Sequence, residues 1–359
     1  MLGEDRRLVY AYDELQNLAG KSMLSPEEIF GTDSKGQPLV TLKDAEQDVI
    51  LKKCYRNSRP VLSLAHALGF GIYREGRRGG TGIVQMFEHY QLWQDVGYAK
   101  VSGELKDGSS VVLSRTEESS PLFLEDHSPL NDLIKVQTFD TIAKQTQWIV
   151  DEIKKNIVEE ELLPSDIVVI NPNPYTTRKR VAVIRAELAK LGIKSHLAGV
   201  DTSPDVFFGV NNDSVTFTGV FRAKGNEAGM VYVINAEECA GNEMGCSALA
   251  RNQLFTAITR SKAWVRILGV RPGMDVLAGE IKKTIEKGFV LDFKCPTSEE
   301  RKFLNIVNRD MTKAERDRID NNKRSLDQIL EDLRSGRLCK EDFDQDQILT
   351  LKELLIGSR

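Results

Sequence analysis

Long apolar runs are missing from this 359-residue chain, and none approaches the roughly 20 residues that a bilayer-spanning helix needs. Its first residues, Met1-Leu2-Gly3-Glu4, run straight into Asp5-Arg6-Arg7, which is no secretory leader. A cytoplasmic protein with no membrane partner is the expectation. Cys54, Cys239, Cys246, Cys295 and Cys339 are scattered, with no Cys-x-x-Cys and no Cys/His ligand spacing. That argues against zinc and for reduced thiols. Excess charge is also missing: a net −4 excludes coating of nucleic acid by bulk electrostatics, although a local basic channel remains compatible with it. Absent too is the loop Gly-x-x-x-x-Gly-Lys-Ser/Thr, whose backbone amides and lysine cradle nucleotide phosphates. The Gly20-Lys21 pair sits in a polar context after no strand.

The length suffices for about two domains with buried cores. The most informative stretch is 215–227. Val215-Thr216-Phe217-Thr218 reads as a short β-branched and aromatic strand, and Met230-Val231-Tyr232-Val233-Ile234 as a second apolar strand. Between them Arg222, Lys224 and Glu227 crowd around Gly225. Three charges on a turn between buried strands suit a place where phosphate or nucleic acid meets the edge of a parallel sheet. A βαβ unit supports the parallel sheet: Ile167–Ile170, the helix Arg178–Leu191 stopped by Gly192, then Ile193–Leu197. Near the start, Leu8-Val9-Tyr10-Ala11-Tyr12 is an apolar run ending at Asp13-Glu14-Leu15-Gln16. A buried strand delivering two carboxylates is the Walker B arrangement, in which one acid holds Mg²⁺ through water and the next orients the attacking water.

Arg222-Ala223-Lys224-Gly225-Asn226-Glu227 after a short strand resembles motif V of the UvrD/Rep-type superfamily 1 helicases. Asp13-Glu14-Leu15-Gln16 resembles motif II, Leu51-x-x-x-Tyr55-Arg56 motif IV, and Phe255-Thr256-Ala257-Ile258-Thr259-Arg260-Ser261-Lys262 motif VI, all in family order. The resemblance covers 8–18, about 50–73 and 136–275. It implies an α/β fold whose core is a RecA-like P-loop NTPase parallel sheet. Residues 1–48 would be a remnant of the first motor domain, 49–295 the second with an insertion at 74–135, and 296–359 a charged helical appendage.

By the same resemblance Asp13 takes the metal, Glu14 is the general base and Gln16 senses the γ-phosphate. Arg56 and Arg260 reach that phosphate across the cleft, with Tyr55 near the nucleotide. Lys224, Gly225 and Glu227 serve the nucleotide, while Thr218 and Arg222 contact nucleic acid. ATP and Mg²⁺ are the implied cofactors, and single-stranded DNA, with RNA open, the implied partner. The implied activity is ATP-dependent 3′→5′ helicase or translocase action in DNA repair or defence against foreign DNA.

Without a phosphate loop the chain is expected to be inactive alone. It would be the C-terminal part of a longer helicase, or be completed by an N-terminal half on a separate chain; the alternative is a non-catalytic binding subunit with a degenerate helicase fold. Two departures stand out: Phe221 occupies a position where many members carry His, and Phe30-Gly31-Thr32-Asp33 is only a loose stand-in for motif III.

Elsewhere, Met86–Trp93 reads as helical, Tyr98–Val101 and Ser110–Leu113 as a hairpin, and Thr138–Ile153 as a helix. Asn57 or Ser58 caps a helix ended by Gly69 or Gly71, and Leu249–Arg260 forms another. Leu326, Ile329, Leu330 and Leu333 mark one face of a tail helix. Asp342, Asp344, Asp346 and Glu353 fall at calcium-loop spacing, but Gln347 stands where that loop needs glycine.

Overall fold

Ile167-Val168-Val169-Ile170 lies at the heart of the structure, buried on both faces as a central parallel strand must be. The computed structural model describes residues 11–18, 29–37, 39–40, 49–76, 80–120, 122–201, 213–241, 247–307, 325, 328–329, 331–338 and 343. The chain divides into two compact units, one of residues 1–22 with 45–308 and one of residues 23–44 with 309–359.

In the first unit the strands are β1 (Gln85–Phe87), β2 (Tyr98–Gly103), β3 (Ser110–Arg115), β4 (Ile134–Phe139), β5 (Ile167–Asn171) and β6 (Ser195–Leu197). They continue with β7 (Val215–Gly219), β8 (Ala228–Val233), β9 (Ser261–Val270), β10 (Leu291–Lys294) and β11 (Asn305–Val307). Six of them make one sheet in the order β4-β9-β8-β5-β7-β6, parallel at every pairing. This is the expected α/β architecture.

Helices cover both faces. Strand alternation decides which side chain meets which layer. Val168 and Ile170 of β5, with Val231 and Val233 of β8, join the core beneath α1 (Arg59–Phe70), α5 (Ala248–Ile258) and α6 (Gly273–Glu286). Ile167, Val169, Met230 and Tyr232 face the other way, against Ile149 and Ile153 of α2 (Ile142–Val158) and Val181, Ile184 and Leu188 of α3 (Thr177–Lys190). Each fully buried Leu, Ile or Val contributes about 1.5–3 kcal/mol. α1 is buried along almost its whole length, starts with Pro60 in its first turn after Ser58, and ends at Gly71 in the left-handed region, φ 74°. A Cβ on Gly71 would also meet the Gly82 carbonyl at 3.0 Å.

Three expectations are corrected. Met86–Trp93 is not a helix: Met86 and Phe87 lie in β1, which pairs in parallel with β11, and the helix spans only Leu92–Asp95. Phe87 and Trp93 both pack against Phe70, edge-on and tilted, at 4.9 and 4.7 Å between ring centroids, whereas a continuous helix would turn them about 120° apart. The helix expected from Thr138 begins at Ile142 behind the cap Thr141, and the preceding segment is the edge strand β4. Its alternation of Ile134 and Val136 with Lys135 and Gln137 is the signature of an edge. Third, Ala11 to Asp13 form no strand, and the two carboxylates stand on a single 3₁₀ turn, Glu14–Gln16. Leu8, Val9 and Tyr10 lie outside the described residues.

The hairpin is present as β2 and β3, and β10 adds a third antiparallel strand. In the second unit, the Asp33 carboxylate accepts from the Lys35 and Gln37 amides in a turn, at 2.8 Å each. Ser325, Gln328, Ile329 and residues 331–334 there are helical. The calcium-spaced acids at 342, 344, 346 and 353 fall outside the described residues.

Candidate functional site

β8 and β9 begin side by side, and at their amino ends the chain brings together side chains far apart in sequence. Glu227 directly precedes β8 and Arg260 directly precedes β9, where the Ala228 amide donates to the Arg260 carbonyl at 3.1 Å. Both line one narrow crevice with Ala223 and Asn226. Arg56, from the loop before α1, donates through Nε to Glu227 Oε2 at 2.5 Å, and Lys262 Nζ lies 3.6 Å from Glu227 Oε1. Burial alone would raise the Glu227 carboxyl, but the hydrogen bond and charge of Arg56, with Lys262 behind it, hold it below its ordinary value.

Arg260 is only 3% exposed. Its Nε donates to the Thr256 carbonyl at 3.0 Å and its Nη2 to Gln16 Oε1 at 2.7 Å. Burial, and then the positive charge of Arg56, bring its pKa down to about 10, against the pull of Asp13 and Glu227. It therefore keeps its proton at neutral pH, in a setting that favours an added anion.

The acidic turn completes the cluster. Gln16 Nε2 donates to Asp13 Oδ2 at 2.6 Å, so this one amide joins Asp13 to Arg260. Lys224 Nζ donates to the Gln16 carbonyl at 3.1 Å, and Glu14 Oε2 accepts from Asn17 at 3.3 Å. Asp13 is exposed as a residue, and its carboxylate accepts from Gln16 on that exposed side. Burial pushes that carboxyl up, while hydrogen bonds from Gln16 and Leu15 and the charge of Lys224 oppose the rise.

Asp13, Glu14, Gln16, Arg56, Lys224, Glu227 and Arg260 thus lie in one linked neighbourhood. Tyr55, next to Arg56, is exposed, with Lys53 Nζ 5.1 Å from its ring centre. Gly225 takes φ 88° in an open turn, so it is the backbone and not crowding that demands glycine there. Thr218 and Arg222 belong to the other edge of the sheet. Thr218 is fully buried at the carboxyl end of β7. Arg222, on the short α4 (Val220–Ala223), packs over Gly199 beyond the end of β6, where a Cβ would come within 2.4 Å of its Nε. The charged stretch therefore crosses from one sheet edge to the other.

Two buried asparagines escaped the sequence analysis as site residues. Asn57, there only a candidate cap, donates through Nδ2 to the Thr259 and Ser261 carbonyls at 3.3 and 2.6 Å, straddling Arg260. Asn252 donates to the Glu14 and Asn17 carbonyls at 3.2 Å each. The available signal was an amide placed among the apolar residues of a packing helix.

Residues 214–268 match the family described as the UvrD-like helicase C-terminal domain. That span holds Thr218, Arg222, Lys224, Gly225, Glu227 and Arg260. Among solved structures, the C-terminal domain of a possible DNA helicase from Lactobacillus plantarum WCFS1 is similar at 20% identity and a TM-score of 0.32, over 41% of this chain and 80% of that one. Arterivirus nonstructural protein 10, a helicase determined in complex with DNA, is similar at 8% identity and a TM-score of 0.25, over 59% of this chain and 45% of that one. Likeness at these scores carries no argument about the site. No curated protein matches.

Proposed function

We propose that this chain, which matches the UvrD-like helicase C-terminal domain over residues 214–268, supplies the second motor domain of an ATP-dependent superfamily 1 DNA helicase or translocase. The observation that carries this reading is the meeting of two guanidinium groups with an acidic turn at one sheet edge. A buried guanidinium whose pKa is lowered by burial and by the neighbouring charge of Arg56 makes a poor structural filler and a good receptor for a polyanion. Arg56 exchanges its Glu227 partner, and Arg260 its Gln16 partner, for oxygens of the γ-phosphate. A planar guanidinium is permanently charged and can grip two of those oxygens.

Glu14 takes the proton of the attacking water, and Gln16 reports the state of the phosphate to Arg260. Asp13 would hold Mg²⁺ together with phosphate oxygens, since that ion needs only one or two carboxylates when phosphates complete its shell. When bound, magnesium neutralises charge on the phosphate oxygens.

The phosphate cradle comes from an N-terminal half, in cis or on a separate chain. Arg222, exposed at the opposite edge, contacts single-stranded DNA, whereas the contact expected of Thr218 falls away because that residue is fully buried. The 3′→5′ direction and a role in repair or defence follow from the motif V resemblance.

The test joins this chain to a triphosphate-binding half and measures DNA-stimulated ATPase. Arg260→Ala is expected to lower the rate by about 10³–10⁵, or roughly 4–7 kcal/mol of barrier. Undiminished ATPase in that variant would remove Arg260 from the mechanism. No ATPase in any complemented form would favour the non-catalytic binding subunit.

A further inference from the structure

The acidic turn Asp13–Asn17 sends one side chain, Leu15, into the main core, joined by Leu18 just beyond it. Its backbone is held by a file of amides. Asn305, exposed in β11, donates through Nδ2 to Gln85 Oε1 at 3.1 Å. Gln85, fully buried in β1, donates through Nε2 to the Gly69 carbonyl at 2.8 Å and to Asn252 Oδ1 at 2.9 Å. Asn252, 4% exposed on α5, then turns its Nδ2 on two carbonyls of the turn, those of Glu14 and Asn17. Gln85 and Asn252 each accept at one end of the amide and donate at the other. Gln85 therefore leaves Asn252 a single orientation, with its donor facing the turn. Buried polar files of this kind behave as units, because breaking one link leaves desolvated groups unpaired.

We propose that Asn252 is the positioning residue of the acidic turn, holding Glu14 in register with Arg260 through backbone carbonyls while Gln85 fixes the orientation of its amide. Asn252 lies on the same helix whose carboxyl end presents Arg260, so one rigid element sets both sides of the site. Among the described residues, Lys224 also reaches the turn's backbone, but it is exposed and its Nζ donates to the Gln16 carbonyl. The functional consequence rests on Glu14 acting as the catalytic carboxylate. The seating itself does not, because it needs no nucleotide.

The experiment is amide hydrogen exchange on this chain, followed residue by residue. The Gln16 and Asn17 amides donate to the Asp13 and Glu14 carbonyls at 3.0 and 3.1 Å, so they report directly on the turn. Asn252→Asp keeps size and the acceptor toward Gln85 but loses the donor; Asn252→Ala removes both. In each variant the Gln16 and Asn17 amides are expected to exchange on the order of tenfold faster, while the Phe255, Val231 and Ile267 amides keep wild-type rates. Asn305→Ala, at the solvent end of the file, should give a smaller increase confined to the same two amides. Wild-type exchange of the turn in both Asn252 variants overturns the proposal. So does a rise shared equally by α5 and the central sheet, which would make Asn252 an ordinary core residue. Loss of Arg260-dependent ATPase in the complemented protein would be a separate failure, that of the motor reading, and would leave these exchange rates unaffected.

Discussion

Glu227 shows how one residue can serve two states. In this structure its carboxylate neutralises Arg56 and Lys262, and a bound polyphosphate would have to displace it from Arg56. Its folded pKa lies below the ordinary value near 4.5, so the stabilisation it brings is complete above that value and is lost as pH falls through the folded pKa. Glu227 and Arg56 both keep more than a third of their side-chain surface exposed, so solvent screening makes that stabilisation small. Glu227→Gln should accordingly lower the melting temperature slightly and equally across neutral pH, and the two proteins should converge in acid once the pH falls below the depressed pKa of the folded Glu227. A gap that widened on acidification would contradict the pairing.

Among the elements, α5 holds most of the site in place, and its own anchor is the buried pair Arg251–Glu280. Arg251 Nη1 and Nη2 reach the two Glu280 oxygens at 2.8 Å each and the carbonyls of Leu68 and Ala240 at 3.0 and 3.2 Å, tying α5 to α1 and α6. Glu280→Ala would leave a desolvated guanidinium behind and should cost about 3–5 kcal/mol by urea unfolding. Replacing both partners by apolar residues of similar volume should cost much less. Arg271, which pairs with Asp140 and Asp275 in solvent, serves as the control, and its removal should leave the urea midpoint unchanged.

At the scale of the whole molecule, a net −4 chain cannot hold a nucleic acid by its average charge. Any grip must come from a few exposed cations such as Arg222 near the carboxyl edge of the sheet. Affinity for single-stranded DNA should then fall only gently with salt, with a logarithmic slope of about −2 to −3, and Arg222→Ala should flatten it by about 0.7. A slope near −10, measured by fluorescence anisotropy over a salt series, would point to a broad basic surface that this composition does not support.

The central strands and their flanking helices were legible in the amino-acid sequence because burial on two faces leaves continuous apolar runs, and burial on one leaves helical stripes. Val215–Gly219, Ile167–Asn171, α1 and α3 were all readable in that way. Arg56, Arg260 and the paired acids were also singled out by their motif contexts, and the structure brings them into one neighbourhood. β1 was not legible, because a three-residue strand takes its identity from a distant partner, and β4, though it alternates, ends inside the segment that reads as helical. Neither was the acidic turn, whose shape is set by amides donated from α5. Only the tertiary structure decided that Arg56 meets Glu227, that Gln16 joins Asp13 to Arg260, and that Asn57 and Asn252 donate to the backbone carbonyls around these groups. Chain order constrains which chemistry is present, but distances between remote side chains exist only after the sheet has closed and its helices have packed.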